Sequence, residues 1–405
     1  MNRTTEFEKF IVDNADIDPS KLRLKYIGKT FPFDIELAIT QIECRKRAST
    51  KLPFILDTPG FIFPTVTSAE QSTSEILAKF HASLIPENSK VIDMTAGLGI
   101  DDFFISKRGS KILTFEINEK IAKFTKSNLK LLNANNITLI HEDSIEWLKA
   151  HPELKFDCIF VDPARRDINN KRLFALSDCS PNIPENISLL KSHSNRLLIK
   201  VSPMADISQL TREIPFIKNI WVLSVKNECK ELLLECDFQL PETFSPTITA
   251  LNFINDKIPL PSVCFNIKDI TSNEEICNHE PQTLKGFYIY IPDSSLSKSG
   301  GANIIADKFK LMKFHPNTLL YISKDFIPEY PGRVLKIKES FNLNQLRKKV
   351  LKGEKRNILC RNVPFKSAEL AKLGGLLEGS EKEYLIAATI NNKGKRILFD
   401  CTQLK

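Results

Sequence analysis

The chain lacks any run of about 18 consecutive apolar residues, which excludes a membrane-spanning helix of the usual kind. Its first residues, Met1-Asn2-Arg3-Thr4-Thr5-Glu6-Phe7-Glu8, carry acids and no apolar h-region, so no secretory signal is read there. Cysteine motifs are missing as well. Nine cysteines are scattered along 405 residues with no C-x-x-C. An odd, dispersed set argues against a disulfide framework and a zinc site and for a reducing compartment, so a cytoplasmic location is expected. The six histidines (81, 141, 151, 193, 279 and 315) show no metal-ligand spacing, and no metal is expected. There is no internal repeat and no low-complexity tract. What remains is ordinary for a globular protein, with 42% apolar and 26% charged residues. The length suggests two or three domains.

The charge is unevenly placed. Phe341 to Lys405 holds 14 Lys and Arg against 6 Asp and Glu, an excess equal to the +8 of the whole chain. The first 340 residues therefore sum to about zero. A basic terminal module on a neutral body points to a polyanion such as nucleic acid. The alternative is a solvated lysine-rich face.

Residues 1 to about 60 read as helical, with Ile35, Leu37, Ile39 and Ile42 on one broad stripe before the basic run Arg45-Lys46-Arg47. Pro53 and Asp57-Thr58-Pro59-Gly60 close that region. Ser72-Thr73-Ser74-Glu75 reads as a capping box, followed at helical spacing by Ile76, Leu77, Phe80 and Leu84. Five apolar strands then alternate with helical stretches: 90–93, 111–116, 137–140, 156–161 and 196–201. That rhythm predicts a parallel doubly wound sheet. Strands at 220–225 and 231–236 are separated by only Lys226 to Lys230, too short for a crossover, so they predict an antiparallel hairpin. Seven strands result. After Pro241 to Pro246 the order is mixed, with strands near 286–291 and 319–322 and a helix at 303–311. Beyond Tyr330-Pro331-Gly332, strands at 333–337 and 358–361 and helices at 343–351 and 368–373 suggest a small α+β module. Two further strands flank Asn391-Asn392-Lys393-Gly394.

The first strand runs into Asp93-Met94-Thr95-Ala96-Gly97-Leu98-Gly99-Ile100. Glycines at a strand-to-helix turn let backbone approach a ligand at the edge where doubly wound sheets bind one. A P-loop would need Gly-Lys-Ser/Thr, which is absent, and a dinucleotide fingerprint would need glycine at 102, where Asp102 follows Asp101. Two carboxylates at that helix start oppose a pyrophosphate. A cationic, phosphate-free cofactor fits better, and S-adenosylmethionine carries both a sulfonium and an ammonium. Asp93 is the candidate for the ammonium, Glu116 at the second strand end for the ribose hydroxyls, and Asp143 after the third strand for the adenine amino group. Thr95, Gly97, Gly99, Ile117 and Ser144 complete the expected cofactor set. Helix capping is the alternative role for these acids.

The fourth strand ends in Val161-Asp162-Pro163-Ala164-Arg165-Arg166. With this turn, residues 65–240 resemble the class I S-adenosylmethionine-dependent methyltransferases, in which the acid-Pro-Pro-aromatic turn at this strand end faces the methyl group. The resemblance implies that the Gln71 region, with Ser72 and Thr73, meets the methionine part of the cofactor. The whole chain is similar to the bacterial THUMP-like-domain methyltransferases through Asp-Pro-Ala-Arg-Arg, Lys200-Val201-Ser202-Pro203-Met204 and Asn227-Glu228-Cys229-Lys230-Glu231-Leu232. This implies a Rossmann-like methyltransferase domain at 61–240 after an N-terminal helical region at 1–60. A ferredoxin-like module at 241–330 and a THUMP-like module at 331–405 would follow, with RNA binding expected of the latter.

Two departures matter. Ala164 and Arg165 stand where amino-methylating enzymes of this type carry a second proline and an aromatic that stacks on a flipped base. Arg165 and Arg166 could instead pair with a phosphate or carboxylate. Methylation at pyrimidine C5 would need a thiolate, for which only the loop cysteine Cys179 is in range, while Cys229 reads as a structural residue of the hairpin turn. The expected function is methyl transfer to tRNA or rRNA, with Asp162, Pro163 and Arg165 orienting the acceptor. A small-molecule or protein methyltransferase, and a non-catalytic RNA-binding protein on the same scaffold, remain as alternatives.

Overall fold

The computed structural model describes residues 5–164, 175–241, 243–255, 263–270, 275–391 and 394–405. The chain divides into two compact units, the first formed by Met1–Asn219, Leu232–Phe244 and Asn255–Ile258 and the second by Ile220–Glu231, Ser245–Ile254 and Pro259–Lys405.

The first unit opens with helices at Glu6–Asp13, Pro19–Tyr26, Ile35–Ala48 and Pro53–Leu56. Each of the first three begins on a side-chain cap. Thr5 and Glu8 form a capping box, the Asp18 carboxylate accepts from Ser20 and Lys21 before Pro19, and Asp34 accepts from the Leu37 N–H. Their inward faces bury Leu22, Ala38, Ile39 and Ile42 beside the rings of Phe7, Phe10, Tyr26 and Phe33. Arg45, Lys46 and Arg47 occupy the last turn of the third helix, where the dipole favours cations.

The sheet that follows has nine strands rather than the expected seven, and the first seven are β1 (Lys90–Asp93), β2 (Lys111–Phe115), β3 (Ile137–Ile140), β4 (Cys158–Val161), β5 (Arg196–Val201), β6 (Ile217–Val225) and β7 (Glu228–Asp237). Their order is β3-β2-β1-β4-β5-β7-β6. β1 pairs parallel with β2 and β4, and β4 with β5, whereas β5 pairs antiparallel with β7, Val201 opposite Leu232. The order reverses between β1 and β4, so the carboxyl ends of these two strands flank the crevice where such sheets bind ligands. β4 is buried at every residue, which is why it reads as an unbroken apolar run rather than an alternation.

The hairpin is tighter than its sequence suggests. Its turn is only Lys226-Asn227, with φ of 50° and 62°, the pair of left-handed residues that matches strand twist in a two-residue loop. Cys229 accordingly lies in β7, not in the turn. In the second unit, β8 (Thr247–Phe253) and β9 (Val263–Asn266) pair antiparallel and continue the strand order after β6.

The rest of the second unit is an eight-stranded sheet: β10 (Tyr288–Pro292), β11 (Met312–His315), β12 (Thr318–Ser323), β13 (Gly332–Phe341), β14 (Lys355–Arg361), β15 (Leu377–Glu378), β16 (Glu383–Ile390) and β17 (Lys395–Gln403). The order is β11-β12-β10-β13-β17-β16-β14-β15. β13 pairs antiparallel with both β10 and β17, so one sheet runs across the Tyr330-Pro331-Gly332 turn. One face buries Ile289, Phe314, Leu335, Ile386 and Phe399, and the stacked rings of Phe314 and Phe399 sit 5.2 Å apart. The helix expected at 343–351 is shorter, a turn at Leu343–Gln345 and a helix at Leu346–Lys349. Val350 turns extended there and buries its side chain.

Candidate functional site

The loop after β1 is shaped by two left-handed glycines. Gly97 has φ +52° and open space where a Cβ would stand; Gly99, φ +69°, would put a Cβ 3.1 Å from Thr125 and 3.2 Å from Leu129. Gly99 thus lets the helix Ile100–Ser106 pack closely, while Gly97 leaves backbone bare toward the crevice. Thr125 Oγ1 donates to the Gly97 carbonyl at 2.6 Å and holds the loop in place.

The expected acids line this edge. Asp93, at the end of β1, is buried, and its Oδ1 accepts from the Thr95 N–H at 2.8 Å. Burial, and then the neighbouring Asp102 carboxyl, push its pKa well above the carboxylate range. Glu116 follows β2 and accepts from the Gly97 N–H at 3.1 Å and the Asn118 N–H at 2.8 Å. Burial raises its pKa, against these backbone donors. Beside it Ile117 is 68% exposed, an apolar surface at a polar strand end. Asp143 is exposed and its Oδ1 caps the helix Ser144–Ala150 through the Ile145 and Glu146 N–H groups, which leaves Oδ2 outside that cap. Ser144 is buried beneath it.

Thr95 ties the two strand ends together, its hydroxyl accepting from the Asp162 N–H at 2.7 Å. Asp162 then meets a residue given no role in the sequence reading. Lys200, on β5, is 6% exposed, and its Nζ donates to Asp162 Oδ2 at 2.7 Å, to Thr73 Oγ1 at 2.7 Å and to Asp101 Oδ2 at 3.4 Å. Asp101 also accepts from Thr73 Oγ1 at 2.5 Å and pairs with His81 Nδ1 at 2.8 Å. Burial alone would raise the Asp101 pKa; Lys200 and His81 override it and hold it well below the ordinary value.

This network corrects the reading of residues 72–75. Ser74, not Ser72, is the N-cap of the helix Glu75–Leu84, and it makes no side-chain cap bond. Ser72 donates to the Ala69 carbonyl, and Thr73 is drawn under the sheet edge by Asp101 and Lys200. Gln71 ends the helix Val66–Gln71 and is exposed. Pro163 and Ala164 follow β4, and Ala164 forms an antiparallel bridge with Ser180, bringing the Cys179 loop beside this turn. Cys179 itself is buried, with Sγ directed at the Ala175 carbonyl. Arg165 and Arg166 lie outside the described residues.

The basic tail is only partly available to a polyanion. Arg356 is 7% exposed and pairs with Glu354 and Asp400, so it belongs to the core of its module and not to a phosphate-binding face. Lys349 pairs with Glu339, and Arg347 donates to the Leu373 carbonyl. Lys348, Lys352, Lys355 and Lys366 are exposed. Among the described residues no helix is long and apolar enough to cross a membrane, and no group of three His, Cys, Asp or Glu could hold a metal ion.

Comparison with known proteins places the two halves. A family model described as "Conserved hypothetical protein 95" matches residues 58–192, one described as a ferredoxin-like domain matches 288–331, and one described as THUMP domain-like matches 332–403. A crystal structure of a candidate methyltransferase from Porphyromonas gingivalis W83 superposes with a TM-score of 0.83 at 25% identity over 98% of each chain. The chain has the architecture of the THUMP-like-domain methyltransferases. Within that architecture, 81 residues are 37% identical to the ribosomal RNA small subunit methyltransferase J of Francisella tularensis subsp. novicida, 18% of this chain and 33% of that one. A further 31% identity over 101 residues links it to the small subunit methyltransferase D of Buchnera aphidicola, 25% of this chain and 50% of that one. The chain thus spans a third to a half of the curated relatives it matches.

Proposed function

We propose that this chain transfers a methyl group from S-adenosylmethionine to RNA, tRNA or rRNA, in the cytoplasm. The observation that carries the reading is the meeting of Asp162 and the Asp93–Gly99 loop at the sheet's reversal point, joined through Thr95. The cofactor fits the residues present: bare backbone at Gly97, buried Asp93 for an ammonium, Glu116 for ribose hydroxyls, and Ile117 and Asp143 for the adenine ring and its amino group. Thr95, Gly99 and Ser144 shape this cradle, and Gln71, Ser72 and Thr73 stand on its methionine side. When bound, the cofactor supplies a sulfonium-activated methyl carbon. Asp162, held from one side by Lys200, presents its other carboxylate oxygen to a donor on the acceptor. Pro163, next in the chain, and Arg165 are the further residues we assign to orienting the acceptor. Rate then comes from holding the acceptor atom in line with the methyl carbon.

RNA as acceptor is favoured by the ribosomal RNA methyltransferases among the relatives and by the THUMP-like module with its exposed lysines. Calorimetry with S-adenosylhomocysteine tests the cofactor half. Saturable binding supports the reading, and binding of NAD in its place contradicts it.

A further inference from the structure

Asp102 is the one carboxyl at this edge whose environment the proposed chemistry does not explain. It is fully buried in the first turn of the helix Ile100–Ser106, and neither carboxyl oxygen has a hydrogen-bond partner among the described residues. The Thr114 hydroxyl lies nearby, out of bonding geometry and itself without a partner. The group facing it is another acceptor, the Asp93 carboxyl. Two buried carboxylates turned toward each other repel, and a buried acceptor with no donor is costly. A single proton between them relieves both.

The other charged groups around the pair are already committed. Asp101, on the same helix, is held by Lys200 from β5 and by His81 from the helix Glu75–Leu84. Lys200 also serves Asp162. β2 contributes only the Thr114 hydroxyl, and β3 (Ile-Thr-Leu-Ile) has no titratable side chain. Among the described residues no Lys, Arg or His pairs with Asp93 or Asp102, yet the proposed cofactor brings a cation.

We infer that Asp102 is a positioning residue of the cofactor site: it shares a proton with Asp93 in the empty protein, and arrival of a cationic ammonium at Asp93 expels that proton to solvent. The inference rests on the proposed cofactor reading and adds to it a coupling between ligand and proton. Burial pushes the Asp102 pKa up to about 7 and raises Asp93 well above the carboxylate range, so the pair still holds a proton at neutral pH. The bookkeeping closes on one proton released for one ammonium bound, with Asp93 accepting from the ammonium in place of Asp102.

Calorimetric titration of the full-length protein with S-adenosylhomocysteine, in buffers of different ionisation enthalpy, counts the protons released. Between pH 5.5 and 7 the wild type should release a large fraction of one proton, and its affinity should rise by up to about tenfold per pH unit before levelling off. Asp102→Asn, which supplies a neutral amide donor to Asp93, should bind with little pH dependence and no proton release. Binding by the wild type without proton release, or equal release by Asp102→Asn, overturns the inference while leaving the cofactor reading intact. Absence of any binding between pH 5.5 and 8 overturns the cofactor reading instead. Should the variant fold poorly, carboxyl NMR of aspartate-labelled wild type decides. A resonance titrating near neutrality and abolished by the ligand supports the shared proton; its absence refutes it.

Discussion

Lys200 Nζ stands 2.7 Å from Asp162 Oδ2, a buried cation from β5 fixing the acid that ends β4. The same nitrogen reaches Thr73 and Asp101, so one lysine joins the acceptor side of the crevice to the segment before the first strand. Removing that charge would leave Asp101 buried without its main counterion. Lys200→Met should therefore destabilise the protein by about 3–5 kcal/mol, the scale for breaking a buried pair from one side. Urea denaturation of the wild type and variant measures this, and a loss under 1 kcal/mol would show that the network contributes little.

The acids in this edge titrate in opposite directions, which gives a second expectation. Asp102 is raised, so its contribution to stability is complete below the ordinary carboxylate pKa near 4 and is lost as the pH climbs toward about 7. Asp102→Asn removes that dependence. Relative to the wild type it should gain roughly 2–4 kcal/mol between pH 4 and pH 8. Denaturation curves at both pH values suffice, and a difference that does not change with pH would contradict the assignment. Asp101 behaves the other way. Its lowered pKa contributes stability above the ordinary value and loses it as acid protonates the folded carboxyl.

Much of this arrangement could be read from the chain itself, for physical reasons that also explain what could not. Parallel strands buried on both faces read as apolar runs, so β4 and β5 were plain, and acids at the ends of β1 and β2 marked the expected ligand edge. Lys200 was hidden because a lysine is normally a surface residue, although a charge inside Arg196-Leu197-Leu198-Ile199-Lys200-Val201, five of whose six residues are buried, was a usable signal. Asp101 and Asp102 were noticed only for what they exclude at a helix start. Their opposite fates depend on which neighbours face them, and spacing does not encode that. Ser72 misled for a similar reason: its hydroxyl suits a cap by pattern, but it bonds back to the Ala69 carbonyl of the preceding helix instead.

Glu116 should matter for affinity more than for folding. Its two oxygens already accept one N–H each, and a ribose would add to these. Glu116→Ala should weaken S-adenosylhomocysteine binding by about 1–3 kcal/mol, the scale for hydrogen bonds to a charged group. Isothermal titration reads it directly, and unchanged affinity would remove Glu116 from the site.

The basic module yields a salt test with an internal control. If the exposed lysines touch phosphates, log affinity for single-stranded RNA should fall with log salt by about 0.7 per contact. Replacing Lys348, Lys352, Lys355 and Lys366 together by Ala should flatten that slope. Arg356→Ala should instead lower stability, since Arg356 is buried against Glu354 and Asp400. An unchanged slope in the fourfold variant would turn the lysines into an ordinary solvated face.

In the proposed function Asp162 serves the acceptor while the β1 and β2 ends hold the cofactor. Transfer of labelled methyl from S-adenosylmethionine to RNA, measured for the wild type and Asp162→Asn alongside S-adenosylhomocysteine affinity, tests this most directly. The expected result is label in RNA with the wild type, and in the variant at least a hundredfold slower transfer, the scale for losing a positioned catalytic group, with cofactor affinity unchanged. Label that never enters RNA, or equal loss of binding and transfer in the variant, would contradict it.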